Sequence, residues 1–196
     1  MRRQSGFQLL ELLTVLAVAA VVTTLGVPPL LRASAESRAR LAAAEIVSVL
    51  RLASSYAVRH SVNVAVKFRP VGDEYTWELC SDGDGDGVLS ADIAAGIDPR
   101  VEPPRRLQHV GRDVHFGFPP GPAPRDPGDP RRRLDRLTDP IRFNRSDLAS
   151  FNPLGGATPG SVYLTDGDSR LVVVRVFGNT GKVRTASYDR RSETWR

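Results

Sequence analysis

Asp82, Asp84 and Asp86 alternate with glycine in "SDGDGDGVLSADIAAGIDP", and no Lys or Arg stands between Ser81 and Pro99 to balance the five aspartates. A cation would relieve that repulsion. With Asp82 as the first position of a calcium loop, Asp84, Asp86, the Val88 carbonyl and Ser90 fall at ligand positions 3, 5, 7 and 9, and Gly87 at the turn position. The twelfth position, where a bidentate acid belongs, is Ile93, and Asp92 arrives one residue early. The expected ligand set for Ca2+ is therefore Asp82, Asp84, Asp86, the Val88 carbonyl and Asp92, with Asp92 reaching round a tighter loop. A solvated Gly/Asp turn is the alternative. Magnesium fits less well, because it tolerates irregular oxygen cages poorly.

A second stretch, "GKVRTASYDRRSETWR", sets Lys182, Arg184, Arg190, Arg191 and Arg196 against only Asp189 and Glu193, with Tyr188 and Trp195 among them. Cations of this kind neutralise phosphates while aromatic rings stack on bases. The same residues also describe an exposed edge strand guarded by charge. Catalysis finds no support. His60, His109 and His115 show no paired-ligand spacing, no GxSxG elbow is present, and "GNTGKV" lacks the first glycine and the final hydroxyl of a phosphate loop. Cys80 is the only cysteine, so no internal disulfide forms, and its alternating apolar setting suits buried filler.

The third stretch is "SGFQLLELLTVLAVAAVV". From Phe7 to Val27 the sole charge is Glu11, and about 20 apolar residues span a bilayer core as a helix. An ionised carboxylate there costs about 2.5 to 3.5 kcal/mol, so Glu11 needs a positive partner. A plain anchor supplies none. A cleaved secretory signal would carry its small residue after the apolar run, whereas Gly6 precedes it. Arg2 and Arg3 lie before the run and no Lys or Arg follows until Arg32, which leaves the amino end in the cytoplasm.

The elements that position these groups follow from periodicity. Ala42, Ile46, Val49, Leu50, Ala53 and Ala57 repeat at 3.6 residues, with Arg38, Arg40, Glu45 and Arg51 largely off the stripe, so an amphipathic helix covers a sheet. Pro28 and Pro29 remove donors and predict a kink or local melting between the two helical parts. Val62, Val64, Val66 and Phe68 alternate, as do Tyr75, Trp77 and Leu79, with "VGDE" as the turn of a hairpin. Further strands are expected in "DVHFGF", "PIRFN", "GSVYLTD", "RLVVVRVF" and "KVRTASYD", with "DGDS" and "GNTG" as turns. The run "PPGPAPRDPGDPRRR" holds six prolines between Pro119 and Pro130 and reads as a mobile surface loop. The fold class is α+β: a long amino-terminal transmembrane and amphipathic helix packed on an antiparallel β-sheet domain.

Gly6, Phe7 and Glu11, followed by "LLTVLAVAAVV", resemble the class III signal of type IV prepilins and type II secretion pseudopilins. That resemblance implies cleavage after Gly6 by a membrane aspartyl peptidase, the prepilin peptidase, and methylation of the new amino terminus at Phe7. It divides the chain into a leader at 1–6, a transmembrane assembly helix at 7–29, its amphipathic continuation at 30–60 and a periplasmic β-rich domain at 61–196. Glu11 then lies one turn from the new ammonium group, where it neutralises the amine of a neighbouring subunit. The expected location is the inner membrane, single-pass, with assembly into a periplasmic filament of pilins or pseudopilins.

The element order, with "TPGSVYLTDGDSRLVVVRVFGNTGKVR" near the end, is similar to the GspH/FimT subfamily of minor pilins and pseudopilins. This resemblance implies a non-enzymatic structural subunit of a type II secretion pseudopilus. It also leaves open a minor type IV pilin of DNA uptake. FimT-like pilins carry a Gly-Arg-x-Arg motif implicated in DNA contact, and Gly181-Lys182-Val183-Arg184 is similar to it with lysine for the first arginine. The formal charge of +5 permits an anionic partner without demanding one.

Overall fold

The computed structural model describes residues 9–107 and 114–196. Gly6, Phe7 and His109 lie outside the described residues. The chain separates into two compact units, residues 1–37 and 38–196.

Helix α1 spans Leu9–His60. It runs unbroken through Pro28 and Pro29, so the expected melting does not occur there. Each proline removes only its own donor, and the remaining ladder bonds hold the turn. Within residues 9–37 the large apolar side chains of Glu11–Val27 stand exposed, Leu16 at 57% and Leu25 at 73%. Ala33–His60 is also long and apolar enough to cross a bilayer by length and composition. Its apolar face is nevertheless inside the domain: Ala42, Ile46, Val49, Leu50, Ala53 and Ala57 are all buried, as their period requires. That segment is a core helix.

The domain follows with β1 (Val64–Val71), β2 (Glu74–Ser81), α2 (Ser90–Ala95), β3 (Arg105–Arg106) and β4 (His115–Phe116). It continues with β5 (Ile141–Arg142), β6 (Leu148–Phe151), β7 (Gly160–Thr165), β8 (Leu171–Phe177), β9 (Lys182–Asp189) and β10 (Thr194–Trp195). One sheet has the order β3-β2-β1-β6 and the other β10-β9-β8-β7-β4, with β5 also on β7, and these strands pair antiparallel. The expected β1–β2 hairpin is present, in register Val71 to Glu74, with Gly72 at φ +62° where a Cβ would be strained.

One core joins the apolar face of α1 to inward residues of both sheets, among them Val66, Phe68 and Trp77 from the first and Val162, Val174 and Val183 from the second. Alternation along the strands leaves a second apolar face on each sheet. On the first sheet Ala65, Cys80 and Leu148 pack with Val88 and Ile93 from the aspartate-rich stretch. On the second, Tyr163, Leu171 and Val173 pack with Leu134, Phe118, Tyr188 and Trp195. Cys80 is fully buried, and burial pushes its thiol up to about 11, which suits filler.

The proline-rich stretch is tied down to the outer face of the second sheet. Arg175 Nη1 donates to the Pro127 carbonyl at 2.6 Å, Trp195 Nε1 to the Arg125 carbonyl at 2.7 Å, and the Arg125 amide to the Tyr188 hydroxyl at 3.2 Å. Pro119 and Pro124 are buried. The expectation of a mobile loop is corrected on this ground: proline lacks a donor but keeps its carbonyl, distant arginines bind the Pro120 and Pro127 carbonyls, and Trp195 binds that of Arg125.

Candidate functional site

Three regions carry the residues singled out by sequence. In the amino-terminal helix, Glu11 is exposed in the first turn, and Leu12, Leu13, Val15 and Leu16 around it are exposed as well. Thr14, Thr23 and Thr24 fold their hydroxyls back onto carbonyls three or four residues earlier, as in Thr14 Oγ1 to Glu11 O at 2.8 Å, so none of these hydroxyls presents a free donor on an apolar surface. What remains is a stripe of Leu and Val with one acid.

In the aspartate-rich loop, single carboxylate oxygens of Asp82, Asp84 and Asp86 lie within 4.8 Å of one another. Asp92 is outside that group, although its charge is felt there. Asp86 and Asp92 are both raised above the ordinary carboxyl range, first by desolvation and then by neighbouring aspartates, Asp84 foremost. Asp82 behaves oppositely. Burial alone would raise it, but Asn63 Nδ2 at 2.9 Å, the Gly85 amide at 2.7 Å and the Gly87 amide at 2.9 Å outweigh that and hold it low.

The loop is thus closed by its own hydrogen bonds. Asp98, which sequence reasoning did not single out, is buried and accepts from the Gly83 amide at 3.0 Å and the Leu89 amide at 2.8 Å, clamping the two ends together. A Cβ at Gly83 would meet the Ile97 carbonyl oxygen at 1.9 Å, so the loop needs glycine there. Val88 and Ile93 anchor the stretch through buried side chains, and Lys67 Nζ donates to Ser90 Oγ at 3.1 Å. The three clustered carboxylates suit a hard cation, with Asp82 as the most ordered of them.

At the carboxyl end, Lys182, Arg184, Ala186 and Tyr188 share one face of β9 by alternation. Lys182 and Arg184 are exposed and line, with Pro159, Phe177 and Thr180, an open depression of about 550 Å³. Arg190 is spent in the fold. Its guanidinium donates to the Asp168 carbonyl at 3.2 Å and to the Pro120 carbonyl, holding the proline-rich cover. Arg196 pairs with Asp189 at 3.2 Å, and Glu193 holds Arg125 at 3.0 Å and Arg133 at 2.6 Å. The basic residues of the stretch are all exposed, and they divide by their bonds: Arg190 and Arg196 hold partners within the domain, while Lys182, Arg184 and Arg191 stand on its surface.

A single long helix laid on antiparallel sheets is the pilin-like α+β architecture. The family model for type II transport protein GspH matches residues 42–180, well over half of the chain, and the chain belongs to that family. The match begins in the buried part of α1, so the signal around Gly6, Phe7 and Glu11 is evidence separate from it. No curated protein and no solved structure matches the chain. The family is one of structural pseudopilins, and the chain is accordingly pseudopilin-like, with one amino-terminal apolar helix.

Proposed function

We propose that the chain is the precursor of a minor pseudopilin, a structural subunit of a type II secretion pseudopilus. The observation that carries this reading is the exposed Leu/Val stripe of Glu11–Val27 with a lone acid, in a chain of the GspH family. Prepilin peptidase cuts between Gly6 and Phe7, and the new amine is methylated. The apolar helix holds the subunit in the inner membrane with its domain in the periplasm. On assembly, Glu11 neutralises the amine of a neighbouring subunit, so a charge that is costly in lipid becomes a register for packing. The protein works by binding and has no catalytic step. Deleting its gene in the native cell should abolish export of secreted proteins and leave uptake of DNA intact; the reverse pattern would reject this reading.

A second reading rests on the exposed cations of β9. Lys182, Arg184 and Arg191 would contact phosphates in a minor pilin of DNA uptake, with Arg190 contributing only through the cover it holds. Phosphate contacts release counterions, so such binding would weaken steeply with salt and drop on Lys182→Ala with Arg184→Ala.

We also propose that the aspartate-rich loop takes a calcium ion, carried by the clustered carboxylates of Asp82, Asp84 and Asp86, with Asp92 and the Val88 carbonyl as the further oxygens that the calcium-loop spacing suggests. Calorimetric titration of the full chain with Ca2+ should show heat that Asp84→Asn with Asp86→Asn removes. No heat with the unaltered chain would discard the ion.

A further inference from the structure

The second sheet has an edge that is half used. Ser187 and Arg196 exchange both backbone bonds, at 2.7 and 2.9 Å, on the side of β9 away from β8. Backbone groups alternate in direction along a strand, so Thr185 and Val183 turn their N–H and C=O the same way. Among the described residues no strand pairs with β9 there, since β10 reaches only Asp189 and Tyr188 and the bond to Ser187. Thr185 is exposed and Val183 beside it is buried, so the open donor and acceptor of this edge are those of Thr185.

Beside that edge runs a groove of about 480 Å³ between β9 and the buried part of α1. Its floor is Ala43, Val47 and Val172, and among the described residues its charged lining side chains are Arg40, Arg51 and Arg196, the last paired with Asp189. Charges that merely guard an edge do not need an apolar groove next to it. A strand added here would send alternate side chains onto the α1 side, between apolar floor and arginine rim, and the others toward Lys182 and Arg184 on the opposite face.

We infer that the free edge of β9 is a docking site for an extended, acidic segment of another protein, which adds as an antiparallel or parallel strand beside Val183 and Thr185. Charge complementarity selects the occupant: Arg51 stands exposed in the groove, and the neighbouring face adds the exposed Lys182 and Arg184. A second copy of this chain does not meet the requirement. Its own acidic stretch is folded into a clamped loop and α2, closed by Asp82 and Asp98, and cannot extend as a strand without losing those bonds. The inference concerns binding by the folded domain and stands whether or not the filament reading holds.

The test uses the full chain in detergent micelles and a fluorescent peptide of alternating valine and glutamate. Binding should protect the Thr185 amide from hydrogen exchange. Thr185→Pro removes an outward donor without touching the β8 ladder and should weaken binding about tenfold or more. Arg51→Glu, an exposed change on α1 outside the core, should weaken it by a similar factor through repulsion and guards against a misfolded proline variant. Unaltered binding in both variants, or protection elsewhere on the domain, overturns the inference. It is equally overturned if the peptide fails to bind while double-stranded DNA binds and is lost only on Lys182→Ala with Arg184→Ala, because a phosphate surface has no use for the Thr185 amide.

Discussion

One helix serves two solvents in this protein. Around Leu12, Leu16 and Leu25, α1 carries large side chains and leaves them exposed, whereas from Ala39 to Ala57 it carries alanines and a few larger residues and buries them. Small residues let the helix approach the sheets closely, and Ile46 and Leu50 fill what remains. Among the described residues, the large apolar side chains of Glu11–Val27 stay exposed. Apolar surface of that extent suits lipid or other helices, so on the proposed reading the difference between the parts separates what the domain buries from what assembly covers.

The sharpest way to break this comparison is Glu11→Ala. It should abolish assembly into filaments, read by co-purification with sibling subunits, while the thermal unfolding midpoint of the domain stays unchanged. Loss of domain stability would merge the two parts. Leu50→Ala is the converse. Leu50 is fully buried, and truncation should cost about 2 to 5 kcal/mol of domain stability without changing membrane insertion.

A smaller loss is expected at the outer face of the second sheet. Trp195→Ala removes the bond to the Arg125 carbonyl and the ring contacts with Tyr163 and Tyr188, for about 1 to 2 kcal/mol in denaturant unfolding. The proline-rich cover should then gain hydrogen exchange while α1 does not. The smallest effect is one of pH. Hydrogen bonds from Arg133 and Arg125 hold the Glu193 carboxyl below its usual range. A depressed folded pKa means that its contribution is present above the unfolded value and is lost as pH falls through the folded one. Acid titration below about pH 4.5 should therefore loosen the cover, and Glu193→Gln should remove that part of the pH dependence.

Much of this was legible in sequence because it is periodic. The buried stripe of α1, the β1–β2 hairpin and the β7, β8 and β9 meander all follow from spacings of 3.6 or 2 residues. Short elements escaped: α2, β3, β6 and β10 are too brief for a period to show. The proline-rich cover escaped for another reason. It is held by Arg175, Arg190 and Trp195, which lie 48 to 70 residues away, and by backbone carbonyls, which no composition reveals. In the aspartate-rich loop the alternating acids were visible, but Asp98 as a clamp was not, since its role depends on Gly83 and Leu89 being brought to it. Likewise Arg190 is exposed like its neighbours, but its bonds to the Pro120 and Asp168 carbonyls were not visible in sequence.

On the proposed function, the amino-terminal helix is a processed assembly element. Mass spectrometry of the amino-terminal peptide, taken from membranes of cells with active prepilin peptidase, tests it most directly. The expected peptide begins at Phe7 with a methylated amine. A chain that still begins at Met1 would contradict it.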